Sequence, residues 1–167
     1  EYRLIGYENR LLNRDDFNND QVDAGDIGAG HSVTALYDIV LAGSGGERIP
    51  ALRYGGQERP ARSANSDELA HVKLRYKRPG EDDSQLLSAV VQRRDLRESI
   101  DQGSEDLRFA ASVAGFGQIL RGGSFTGDWD YDDALALARA SRGSDPHGYR
   151  SEFLHLIELA QSLSSGS

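Results

Sequence analysis

Apolar residues alternate with polar ones in the first half of this chain and recur at helical spacing in the second. The cleanest alternation runs from Leu69 to Arg78. Val72, Leu74 and Tyr76 point one way there, and His71, Lys73, Arg75 and Lys77 point the other. That predicts a strand with one face toward a core and one toward water. His31 to Leu41 predicts another, with Val33, Ala35, Tyr37, Ile39 and Leu41 inward. Gln85 to Arg94 predicts a third, with Leu87, Ala89 and Val91 inward. Glu1 to Arg10 alternates more loosely around Tyr2, Leu4, Ile5 and Tyr7. Pro79-Gly80-Glu81-Asp82-Asp83 predicts a hairpin loop. The stretch Gly43 to Asp67 is rich in Gly, Pro and Arg and poor in apolar residues, and a long mobile loop is expected there.

After about Leu96 the period changes. Ser104 followed by Glu105 and Asp106 marks a helix start, with acids where the helix dipole favours them. Phe109, Val113, Phe116 and Leu120 follow at helical spacing. Ala110, Ala111, Ala114, Gly115 and Gly117 allow another element to approach closely, and Gly122-Gly123 ends the helix. A second helix starts within Asp128 to Asp133 and runs to about Ser141, closed by Gly143. Asp145-Pro146 predicts the start of a third. It runs to about Leu163, with Tyr149, Phe153, Leu156, Ile157 and Ala160 on one face. Strands first and helices after predict an α+β fold: a small antiparallel β-sheet or sandwich with a three-helix C-terminal segment packed on it. The β-rich part is expected over 1–100 and the helical part over 101–167, forming one cooperative domain.

Composition narrows the chemistry. The 167 residues include no cysteine, which excludes disulfides, thiol catalysis and zinc–thiolate sites. The net charge of −8 argues against a nucleic-acid partner. No apolar stretch approaches the roughly 18 residues of a membrane span, and no signal-peptide pattern is present. The chain opens at Glu1 inside a predicted strand and contains no methionine. A piece of a longer protein is therefore expected.

Candidate metal ligands concentrate in the acidic segment 15–26. Asp16, Asn18 and Asp20 have the spacing that opens an EF-hand. Gln21 then stands where glycine is needed, and Ile27 where the bidentate glutamate is needed. Asp23 and Asp26 would complete an irregular Ca²⁺ loop. The expected role is instead that these Asn and Asp residues cap turns made by Gly25, Gly28 and Gly30, with no metal. Asp128, Asp130 and Asp132 fail the same test and read as acids at a helix start. Gly25, Gly28 and Gly30 precede a strand rather than a helix, which is the wrong order for a phosphate loop. Gly122 to Gly127 resembles a nucleophile elbow, but Thr126 replaces the second glycine. His31, His71, His147 and His155 show no metal-ligand spacing. No catalytic residue and no cofactor is predicted. Trp129, Tyr131 and Tyr149 are either core residues or a contact surface, since Trp and Tyr are favoured at interfaces.

Longer strings carry a resemblance. YRLIGYENRLLNRDDFNNDQVDAGDIGAGHSVTALYDI, DLRFAASVAGFGQILRG, DYDDALALARASRG and DPHGYRSEFLHLIELA resemble the C-terminal region of bacterial von Willebrand factor A-domain proteins of the YfbK type. The resemblance implies an A domain upstream in the same chain, and an envelope, periplasmic or exported location, often as a lipoprotein. The region itself is one of unknown function in that family; the role expected here is a non-catalytic accessory or protein-interaction domain, with a Ca²⁺-binding module using the acidic loop 15–26 as the alternative. Any metal ion is expected in the A domain's DxSxS site, a motif absent from this sequence.

Overall fold

A computed structural model describes residues 1–6, 13–22, 25–41, 44–45 and 67–165. The fold is α+β: two small antiparallel sheets, then three helices. Strands β1 (Tyr2–Ile5) and β2 (Leu36–Ile39) pair with each other, and β3 (Glu68–Tyr76) pairs with β4 (Gln85–Gln92). The helices are α1 (Glu105–Leu120), α2 (Tyr131–Ala140) and α3 (Tyr149–Ser164). The chain divides into two compact units. The first includes the acidic segment and the β3–β4 hairpin. The second includes Leu4, Thr34–Tyr37 and everything from Arg97 on.

In the helical unit each end is fixed by local chemistry. Ser104 accepts the Leu107 N–H at 3.2 Å and caps α1. At the other end the Gly123 N–H reaches Gln118 and the Gly122 N–H reaches Ile119, both glycines having positive φ. This is the Schellman closure anticipated from the glycine pair. Asp130 and Asp133 form a reciprocal capping box on α2, and Asp130 also accepts the Asp132 N–H. The third helix starts at Tyr149, later than expected, with Gly148 at φ 77° before it. Asp145 still caps it from a distance: its carboxylate accepts the Arg150 and Ser151 N–H groups and the Ser151 hydroxyl.

The core lies here. Phe116, Ala134, Leu135, Ala138 and Ile157 are buried, with Phe109, Ile119, Trp129, Tyr131, Phe153, Leu154 and Ala160 packed around them. Ala134 and Ala138, both without exposed surface, let α2 lie close to its neighbours. Phe116 meets Phe153 and Tyr131 edge-on, and Phe109 meets Phe153 in the same way. Arg150 ties the three helices at one end. It pairs with Asp106 at 2.5 Å, donates to the Ser141 and Arg142 carbonyls and lies over the Phe109 ring.

The β elements depart from the pattern-based expectation in two ways. First, β2 is four residues long rather than eleven. Val33, Ala35, Tyr37 and Ile39 are exposed, while Leu36, Asp38 and Val40 form the less exposed row. Asp38 sits there because Arg3 of β1 pairs with it at 3.4 Å. Second, the expected inner face of the hairpin is open: Val72, Leu74 and Leu87 are each more than half exposed, and Ala89 is exposed too. The register explains why they stand together, since Val72 faces Ala89 and Leu74 faces Leu87. Among the described residues the strands pair two by two, within the expected α+β class. The Pro79-Gly80 turn is as expected, closed by the Glu81 N–H on the Arg78 carbonyl with Gly80 at φ 81°. Residues 7–10 of the first expected strand lie outside the described residues, as does the expected loop except Ser44, Gly45 and Asp67.

Candidate functional site

The acidic segment folds as a strap, and the hairpin holds it by one residue. Residues Arg14–Asn18 make a short 3₁₀ turn, followed by a tight bend in which the Asn19 side chain accepts the Gln21 N–H. That is the Asx chemistry anticipated for these residues. The bend delivers Asp20 to the mouth of the hairpin. Its carboxylate accepts the backbone N–H of Ser84 at 3.1 Å, the Ser84 hydroxyl, and the Arg75 guanidinium at 3.3 Å. Lys77 donates to the Asp20 carbonyl at 2.5 Å. Arg75 also donates to Ser84 and lies 5.9 Å from the centre of the Phe17 ring. Hydrogen bonds from the Ser84 hydroxyl and N–H hold the Asp20 carboxyl below its ordinary value, with Arg75 and Lys77 adding to this.

Four of the five candidate calcium ligands lie among the described residues, each in its own surroundings. Asp16 accepts from its neighbour Asn13 at 3.3 Å. Asn18 closes the 3₁₀ turn, Asp20 faces hydrogen-bond donors and two cations, and Asp26 is exposed. Asp23 lies outside the described residues. No group of three acidic or histidine side chains converges among the described residues. Gly28 and Gly30 act as turn glycines. The His31 N–H closes on the Gly28 carbonyl at 3.1 Å, and a Cβ on Gly28 would stand 2.8 Å from the His31 ring.

The three aromatic candidates separate. Trp129 is half-buried and packs on Gly115 of α1, where a Cβ would fall 1.6 Å from a ring carbon. Tyr131 lies against Phe116 in the core. Tyr149 is 73% exposed, tilted against His147. The sequence pattern set Tyr149 and Leu156 on one face with Phe153, Ile157 and Ala160, but these two stand in a separate row with Leu159 and Leu163. Tyr149, Leu156, Leu159 and Leu163 are each more than half exposed. Their spacings of seven, three and four residues keep them on one side of α3, within an arc of about 80°. Phe153, Ile157 and Ala160 form the neighbouring, packed side. Two apolar rows interleave on one helix. The strap's anchors Arg75 and Ser84 carry no motif, because a contact between residues 64 positions apart leaves no local signal.

The sequence matches, over residues 1–163, the family described as "Uncharacterized protein YfbK, C-terminal". The chain belongs to this family. It is 44% identical over 160 residues to "Uncharacterized protein YfbK" of Escherichia coli (strain K12), an alignment that takes in 96% of this chain. The chain spans 27% of that relative's length. No solved structure gives a significant match. The match includes the strap, the hairpin and all three helices, so the YfbK-type C-terminal region has an α+β fold in this member. No helix among the described residues is long and apolar enough to cross a membrane.

Proposed function

We propose that this chain is a non-catalytic accessory domain of a longer, exported or envelope-located protein with a von Willebrand A domain. Its work is to contact the rest of that protein or a protein partner. The observation that carries this reading is the exposed apolar row on α3, Tyr149, Leu156, Leu159 and Leu163. Scattered exposed leucines need no explanation, but an ordered row on one helix face marks a contact surface. The exposed hairpin face of Val72, Leu74, Leu87 and Ala89 is a second surface of the same kind. The length of the relative supports the reading, because almost three quarters of it lies outside the aligned segment. The A domain and the location rest on the family resemblance.

Oxidative footprinting tests the proposal. Tyr149, Leu156, Leu159 and Leu163 are labelled in this chain alone and in a full-length YfbK-type protein, with and without its cellular extract. Labelling is expected to fall in the longer protein or in the extract. Equal labelling in every sample would remove the basis for a contact role.

A further inference from the structure

The strap's attachment has the anatomy of a ligand in a site. Asp20 brings one carboxylate, and the hairpin supplies a backbone N–H, a hydroxyl and a guanidinium around it, with an ammonium beside it. The receiving groups belong to β3 (Arg75) and the loop that joins it to β4 (Lys77 and Ser84). The antiparallel register sets Arg75 opposite Leu86, and Lys77 and Ser84 stand at the two ends of the joining loop, next to the closing pair Tyr76 and Gln85. Convergent donors of this kind match a carboxylate's lone pairs. Asp20 fills the site imperfectly. It engages one terminal nitrogen of Arg75, and the Arg75 Nε–H is out of solvent with no hydrogen-bond partner. The ion pair is also accessible, with about a quarter of the Arg75 side chain and a third of Asp20 exposed. A dissolved anion can therefore reach it.

We propose that Arg75, Ser84 and Lys77 form a carboxylate-binding cradle at the mouth of the β3–β4 hairpin, and that Asp20 occupies it as a displaceable intramolecular ligand. The strap is then a plug, and an external carboxylate that takes the cradle releases it. Tethering makes Asp20 an effective competitor, because an intramolecular ligand acts at an effective concentration of order millimolar or higher. The cradle is consequently masked to simple anions in the intact chain and open once Asp20 loses its carboxylate.

The test uses the full chain, with sodium formate as the probe and sodium chloride holding ionic strength constant. The backbone amide of Ser84 is followed by NMR. In Asp20→Ala, formate is expected to shift that amide saturably. In the wild type the response is expected to be weaker by about tenfold or more. In Asp20→Ala combined with Arg75→Gln it is expected to vanish. If Asp20→Ala does not fold, Asp20→Asn, which keeps the side-chain volume, takes its place. A Ser84 amide that ignores formate in the single variant would overturn the proposal. So would an equal response in the wild type or in the double variant.

Discussion

The helical unit and the β3–β4 hairpin are made of equally apolar sequence and are held together by different physics. Every buried side chain among the described residues is in the helical unit, and Ile157, Ala134 and Ala138 have no exposed surface at all. The hairpin has no such residue. Its order comes from the ladder, the Pro79-Gly80 turn and the polar anchor at Asp20. The difference teaches that alternation specifies which residues share a face, while burial needs something to cover that face. A two-stranded ribbon cannot cover itself.

The sharpest way to break the comparison is inside the helical core. Ile157→Ala removes a fully buried side chain and is expected to cost about 2–5 kcal/mol in denaturant unfolding. Gly115→Ala is expected to cost about 1–3 kcal/mol by overpacking. It carries its own reporter: Trp129 is the single tryptophan, and the added methyl must displace its ring. Its fluorescence should therefore shift in the native baseline. An unchanged baseline would mean that the ring does not rest on Gly115.

On the hairpin side the effects are smaller. The Asp20 carboxyl titrates below its ordinary 3.8 in the folded chain. Its contribution is therefore fully present above that pH, and is lost as pH falls below it through the folded value. The Ser84 amide should report this acid transition, and Asp20→Asn should abolish it. Leu74→Thr and Leu87→Thr, on exposed cross-strand neighbours, should each change stability by only about 0.5 kcal/mol. A loss of several times that would show the face to be covered in solution. Smallest of all, calcium or a chelator should leave the melting temperature unchanged. A calcium-dependent rise abolished by Asp16→Ala or Asp26→Ala would instead establish the strap as a metal loop.

Much of this was legible in the sequence, and what was not has a common cause. Ser104, the Asp130/Asp133 pair, Gly122-Gly123 and Pro79-Gly80 act on their own neighbours, so helix ends and the turn follow from local chemistry. The α3 start was displaced because Asp145 reaches over Pro146, His147 and Gly148 to cap it. The strand faces were misread because a period of two marks a face as apolar without supplying its cover. The strap's role as an Asx-turn segment could be read from its composition. Its anchor could not, since Asp20 finds Arg75 and Ser84 only after the hairpin has formed.

Native-state hydrogen exchange of the intact chain tests the contrast between the two regions most directly. The amides of Ala134, Ala138 and Ile157 are expected to exchange only with global unfolding, and those of the Val72–Ala89 and Leu74–Leu87 ladder through smaller openings with lower protection. Ladder amides as protected as those of the helical core would contradict the account.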